Sequence, residues 1–241
     1  MSCENEHFHG HGHSHSHGGH DDGHDDHIPP EPTFSSQSLN SKINSFQVTA
    51  LNLANPPEQL AELFKPAALR FQLKPVIKSD ADEQLIIHIP FLNGSVKLHS
   101  IILRTNGDKY CPRTIRLWKN NRNIDFDSVN GTKPTFTLTH PHVGVSYNDD
   151  EDEDEEMPDT LESTADFVEH HVPRHVFTGV HTLTMFVEDI YGDEEECHFH
   201  SIELRGEFTE LTRDPVITIY ESAANPADHK RVEEAMAQMK Y

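Results

Sequence analysis

Cysteine is scarce: Cys3, Cys111 and Cys197 are the whole set in 241 residues. Their number is odd, their spacing wide, and no C-x-x-C occurs, which removes a dithiol redox motif, a thiolate zinc site and a disulfide framework. Such usage suits a reducing compartment. Long apolar runs are missing as well. The N-terminus has neither a basic start nor the roughly 7- to 15-residue apolar stretch of a secretory signal, and nothing further along reaches membrane-spanning length. Asn93-Gly94-Ser95 and Asn130-Gly131-Thr132 therefore read as Asn-Gly turns and not as glycosylation acceptors. Basic clusters are absent too, and the formal net charge is -22. An acidic field repels phosphate backbones and anionic lipid, so nucleic-acid and membrane-surface binding are discounted. Finally, no G-x-S-x-G, S-x-x-K or cysteine beside a plausible base occurs with strand-turn-helix context, and no P-loop or G-x-G-x-x-G is present, so the expected function is non-enzymatic.

What is present is unevenly distributed. Residues 1–36 hold nine of the 20 histidines, no Lys or Arg, and almost no apolar side chains. Such a segment buries too little surface to offset the entropy of ordering, so it reads as a disordered tail followed by a proline linker at Pro29, Pro30 and Pro32. Residues 149–156 are eight consecutive acids, and the head contributes six more; removing those fourteen from the 41 acids leaves 27 against 19 Lys and Arg. The acidic run is expected to extend into solvent as a loop, about 148–162, inside one domain of residues 37–229. A C-terminal tail, 230–241, completes the division, with Val232, Ala235, Met236 and Met239 at helical spacing.

Between those features the pattern is one of short strands. Residues 85–91 are apolar on both faces, and Asn93-Gly94 joins them to 96–104 in what reads as a hairpin with a tight primed turn. Further strands are expected at 114–119, 135–139, 182–189, 198–208 and 216–221. Within 198–208, Ile202, Leu204 and Phe208 alternate with Glu203, Arg205 and Glu207; within 182–189, Leu183, Met185 and Val187 share a face. Asn55-Pro56-Pro57-Glu58 has the form of a helix start with Asn55 as N-cap, placing Leu60, Leu63 and Phe64 on one face. The fold class is all-β, a sandwich or jelly roll with short terminal helices.

Candidate chemistry is thin. His7, His9, His11, His13, His15, His17, His20, His24 and His27 could ligate Zn²⁺, Cu²⁺ or Ni²⁺, with the Asp residues adding oxygen donors. A flexible tract gives mixed stoichiometry, so the binding is expected to be weak or adventitious and no dedicated cofactor is expected. In Cys197-His198-Phe199-His200, strand geometry sets both histidines on one face and Cys197 on the other, which reads as hydrogen-bonded or solvated histidines and not as a metal site. Asp80, Asp82 and Glu83 lack the ladder of a calcium loop and read as an acidic turn before a strand. Phe126, between Asp125 and Asp127, reads as a buried anchor.

Several stretches in order resemble one family, the PITH domain. They are Ser79-Asp80-Ala81-Asp82-Glu83 running into Ile89-Pro90-Phe91; Val96-Lys97-Leu98; Arg116-Leu117-Trp118-Lys119-Asn120; Leu204-Arg205-Gly206-Glu207-Phe208-Thr209-Glu210-Leu211; and Tyr220-Glu221-Ser222-Ala223-Ala224-Asn225-Pro226-Ala227-Asp228-His229. The motif residues are thus Asp80, Asp82, Arg116, Trp118, Asn120, Arg205, Gly206, Glu207, Asn225, Pro226, Asp228 and His229. The resemblance implies a jelly-roll β-sandwich and association with the 26S proteasome; cytoplasm and nucleus are the locations expected from the cysteine usage and the lack of a secretory signal. The chain departs from the fused relatives in having no thioredoxin domain and no C-x-x-C, so their redox activity is not carried over. The leading expectation is a monomeric, proteasome-associated adaptor or regulator. Its rivals are a metal-buffering protein working through the head, a jelly-roll module for a small carbohydrate or peptide ligand, and a hydrolase without recognisable motifs.

Overall fold

Leu85, Ile86, Ile87 and Ile89 leave no face for water, so their segment is stable only as a strand covered on both sides. The computed structural model, which describes residues 30–146 and 157–211, shows that arrangement. Its strands are β1 (Thr49–Leu51), β2 (Ile77–Lys78), β3 (Leu85–Pro90), β4 (Gly94–Thr105), β5 (Thr114–Lys119), β6 (Phe136–Thr139), β7 (Phe167–His171), β8 (Thr182–Val187) and β9 (His198–Glu210). They form two antiparallel sheets, ordered β1-β3-β8-β5-β6 and β2-β9-β4-β7. The molecule is a jelly-roll β-sandwich. Each sheet takes strands from both sides of the acidic run, β3 pairing with β8 and β4 with β9. The compact unit runs from Thr33, a few residues ahead of the position read from composition.

The main core lies between the sheets. Leu85, Ile87, Ile89, Ile115, Leu117, Leu183, Met185 and Val187 meet Val96, Leu98, Ile101, Leu103, Phe199, Ile202 and Leu204 there. Each such side chain contributes about 1.5–3 kcal/mol of burial free energy before entropy is counted. A second, smaller core covers the outer face of the five-stranded sheet, where Ile86, Trp118 and Phe186 pack under Ile124 and Val129. The Trp118 indole donates to Thr132 O at 3.3 Å. Both faces of β3 and β8 are therefore buried, His88 of β3 and Thr184 of β8 meeting through a 2.9 Å hydrogen bond among their apolar neighbours.

The expected hairpin between 85–91 and 96–104 does not form. β3 and β4 lie in different sheets, and the residues between them carry the chain across the sandwich. Phe91 N–H donates to His181 O and Leu92 N–H to Lys42 O, contacts that pull the connection away from a two-residue turn. Gly94 is required by crowding, since a Cβ there would collide with the Phe208 ring and Thr209 O. Positive φ occurs, among the described residues, at Asn52, Asn120 and Gly179.

The helix expected from Asn55 is a 3₁₀ helix, Pro57–Leu63, with Leu60 and Leu63 buried as the spacing required. Asn55 is not its cap. Its Oδ1 accepts the Lys78 N–H at 2.8 Å and its Nδ2 donates to Val76 O at 2.8 Å, so it serves the β2 segment instead. Asn40 plays a similar part for β9, accepting from Leu204 N–H and donating to Ile202 O on the side away from β4, beyond the reach of the two-residue β2. The end of the acidic segment is also held, by Leu73 N–H to Asp159 O, Leu161 N–H to Phe71 O and an ion pair of Lys74 with Asp159. The acidic run itself, the segment 216–221, the 230–241 tail and the histidine-rich head fall outside the described residues.

Candidate functional site

A concavity follows β1. This strand is an edge of the five-stranded sheet, paired with β3 on one side. Ala50 turns inward, with Val48 and Leu53 also against the core, while Thr49 and Leu51 face out. At Asn52 the backbone enters the left-handed region, φ 64°, which asparagine tolerates better than most residues. The chain then crosses towards the other sheet, where Leu53 bridges Ser79 and Ala54 N–H donates to Lys78 O at 3.1 Å.

The Asn52 side chain fixes the turn that follows β2. Its Nδ2 donates to Asp82 Oδ1 at 2.7 Å and to Gln84 O at 2.6 Å, and its Oδ1 accepts the Ala81 N–H at 2.9 Å. Asp82 Oδ1 also accepts the Gln84 N–H. The acidic turn is thus a structural Asx arrangement leading into β3, as its sequence suggested. The resulting cleft, about 720 Å³, is lined by residues 48–53, Asn55, Pro57, Leu60, Asp80 and Phe126. Phe126 is not the buried anchor its flanking residues suggested. One side of its ring meets Phe186, with centroids 6.3 Å apart, and the ring stays 38 % exposed along the cleft.

Asp80 is the one ionisable side chain in that lining, which otherwise offers backbone, amide, hydroxyl and apolar groups. Such a surface can hold a ligand by hydrogen bonds and burial. It supplies no paired acid and base and no activated nucleophile.

A second cleft, about 400 Å³, is lined by Gly107, His142, Gly144, Ser146, Ser163 and Asp166 among others. Beside it the fully buried Arg104 guanidinium holds Asp166 Oδ2, 2.7 Å from Nε and 2.6 Å from Nη2. Arg104 Nη2 also donates to Leu161 O at 2.8 Å, and the guanidinium lies over the Phe167 ring. These contacts tie the exit of the acidic segment to β4.

The histidines divide by environment. His140 Nδ1 lies 2.8 Å from His170 Nε2, and His140 Nε2 lies 3.1 Å from Thr105 Oγ1, linking the end of β6 to β7 at one side of the sandwich. Burial, then the neighbouring His170, pushes His140 down to about 4; burial, then His171, pushes His170 down to about 4. His198 and His200 share a face of β9, as strand geometry required, and both are buried and not solvated. His198 Nε2 lies 2.9 Å from Glu196 Oε2 and its ring stacks on Tyr110, while His200 Nδ1 lies 3.1 Å from Leu73 O. Burial pushes His200 down to about 4 and the Cys197 thiol, on the opposite face, up to about 12. Among the described residues no group of three or more His, Cys, Asp or Glu is placed to hold a metal.

The family motif residues do not converge. Asp80 and Asp82 belong to the turn at the cleft. Arg116 pairs with Glu188 through both guanidinium and carboxylate arms, and Trp118 belongs to the outer core. Asn120, with φ 57°, donates to Gly179 O and accepts from His181 N–H and Thr182 N–H. Arg205 donates to Glu203 and Thr33, and Glu207 is exposed near Lys97. Gly206 sits opposite the bulge between Leu98 and Ser100, where a Cβ would run into Lys97 O. Most motif residues on the described part therefore hold the fold together. Asn225, Pro226, Asp228 and His229, and the nine head histidines, lie outside the described residues.

A family model, the PITH domain, matches residues 29–224. The chain belongs to the PITH domain family. Among its relatives, PITH domain-containing protein 1 of Danio rerio is 36 % identical over 169 residues, covering 70 % of each chain. PITH domain-containing protein 1 of Homo sapiens is 32 % identical, covering 84 % of this chain and 85 % of that one. A PITH domain-containing protein of Schizosaccharomyces pombe is 30 % identical, covering 82 % and 86 %. Solved structures with a related outline include the CBM32-3 module of a family 31 glycoside hydrolase from Clostridium perfringens, at TM-score 0.42 and 11 % identity, covering 72 % of this chain and 97 % of that one. Another is the C-terminal domain of a chitobiase from Bacteroides fragilis, at TM-score 0.39 and 10 % identity, covering 70 % and 99 %.

Proposed function

We propose that this PITH-family chain is a non-catalytic docking module for a protein partner, and that the partner is the 26S proteasome. The observation that carries the docking part is the chemistry of the β1 cleft. Its lining combines exposed apolar side chains with backbone and amide groups and a single carboxylate. That is the composition of a recognition surface and lacks the paired groups of a reaction centre. The proteasome as partner rests on the family resemblance. On this reading the chain works in cytoplasm and nucleus, and a folded surface with a few anchors provides specific affinity.

The test is affinity purification of the tagged full-length chain at moderate salt, with the bound fraction analysed by mass spectrometry and native gel. Recovery of regulatory and core subunits in particle proportions, together with peptidase activity, supports the reading. Recovery of no particle above the untagged control overturns it.

A further inference from the structure

Three observations about β1 converge. First, it is a sheet edge among the described residues: β3 occupies one side and no described strand the other. An unpaired edge presents alternating N–H and C=O groups, a template for another extended chain unless something covers it. Before the chain turns at Asn52 the cleft follows residues 48–51, a length of about 13 Å, or roughly four residues of extended peptide. Second, the walls are apolar and incompletely covered. Leu51 is 36 % and Phe126 38 % exposed at the cleft, and Phe46, two residues before its start, is 99 % exposed. Third, Asp80 is the one charge on the lining, and its carboxylate makes no ion pair among the described residues. The surrounding turn is already fixed by the Asn52 hydrogen bonds, so little further ordering is needed on binding.

We propose that the free edge of β1 accepts an extended peptide segment of the protein partner as an added strand, with a lysine or arginine of that segment set against Asp80. This deepens the docking reading and rests on it. Backbone hydrogen bonds to β1 supply sequence-tolerant affinity, while Leu51 and Phe126 select alternate apolar side chains and Asp80 selects positive charge. Because β1 is three residues long, the isolated peptide binds modestly, in the micromolar range.

The probe is a fluorescein-labelled peptide of about nine residues, alternating valine and threonine around a central lysine. Two controls accompany it: the same peptide with alternate backbone amides N-methylated, and one with glutamate in place of lysine. Anisotropy titrations on the full-length chain should show saturable binding of the parent peptide, at least about tenfold weaker binding after N-methylation, and about threefold or more weaker binding of the glutamate peptide. Asp80→Lys should invert that charge preference, which a merely misfolded variant would not do. Leu51→Asp, with unchanged melting temperature, should weaken all three peptides. Amide shifts on titration should centre on residues 48–53. Equal binding of the N-methylated and parent peptides, absence of saturable binding, or shifts centred elsewhere would overturn the proposal. Concentration-dependent self-association abolished by Leu51→Asp would also overturn it, by assigning the edge to a second copy of the chain. Particle recovery is scored separately on the same variants. Loss of the peptide with particles retained removes β1 as the docking edge and leaves the proteasome reading intact. Peptide binding at β1 by a chain that recovers no particles supports the edge and removes the proteasome.

Discussion

Removing one partner of the buried Arg104–Asp166 pair should cost far more than removing both. The Arg104 side chain is fully buried and Asp166 nearly so, and the guanidinium uses Nε and Nη2 on one carboxylate oxygen and Nη2 again on Leu161 O. Asp166→Ala leaves a buried guanidinium with its charge uncompensated, for which about 3–5 kcal/mol of destabilisation is expected. In a domain of this size that corresponds to a fall in Tm of roughly 10 °C. Arg104→Met should cost a similar amount, because it strands the carboxylate and frees the Leu161 carbonyl. The double variant Arg104→Met/Asp166→Leu removes both charges and keeps apolar volume against Phe167, so it should be less destabilised than the sum of the singles by about 2 kcal/mol or more. Urea unfolding at neutral pH measures this as a shift in midpoint at constant slope. Single variants losing less than about 1 kcal/mol, or a double variant as unstable as the sum, would refute the reasoning.

The remaining expectations concern protons, metal and salt. His140 and His200 are held neutral in the fold with values near 4, against about 6.5 when unfolded. The unfolded chain therefore binds more protons between those values, so their contribution is complete above pH 6.5 and is lost as pH falls towards 4, at up to about 1.4 kcal/mol per pH unit for each. Urea midpoints from pH 7 to 5 should fall more steeply for the natural chain than for a folded His140→Gln/His200→Gln variant, and parallel slopes would contradict this. Deleting residues 1–27 should abolish Zn²⁺ binding at high stoichiometry, read by calorimetry, without altering Tm; metal retained after deletion would point to a site elsewhere. Replacing residues 149–156 with Gly and Ser should slow association with a basic partner and flatten its salt dependence, because eight adjacent negative charges can steer encounter over about 10 Å at 0.1 M salt. An unchanged on-rate would leave the run as a spacer.

The central strands were legible because both of their faces are buried or alternate cleanly: Leu183, Met185 and Val187 are in the core as their spacing required, and Ile202 and Leu204 likewise. What the sequence hid was long-range. Asn-Gly between two apolar runs looks the same whether the strands pair or part into different sheets, and the reason for Gly94, the Phe208 ring, lies over a hundred residues away. β7 was missed because its residues are all half-buried or exposed and show no period-2 contrast. β1 was missed because three residues are too few for a pattern, and with it went the cleft. Asn52 and Asn55 carried a signal of turn chemistry, but their partners at residues 76–84 could not be read from local order. Phe126 was misjudged for a related reason, since only one side of its ring is covered.

The docking claim is tested most directly by biolayer interferometry of the purified full-length chain on immobilised, purified 26S particles across a salt series. Specific docking by a folded surface predicts saturable binding that persists at about 0.3 M salt, with association slowing as salt rises and dissociation nearly constant. Signal that never saturates, or that vanishes above physiological salt through faster dissociation, would contradict it.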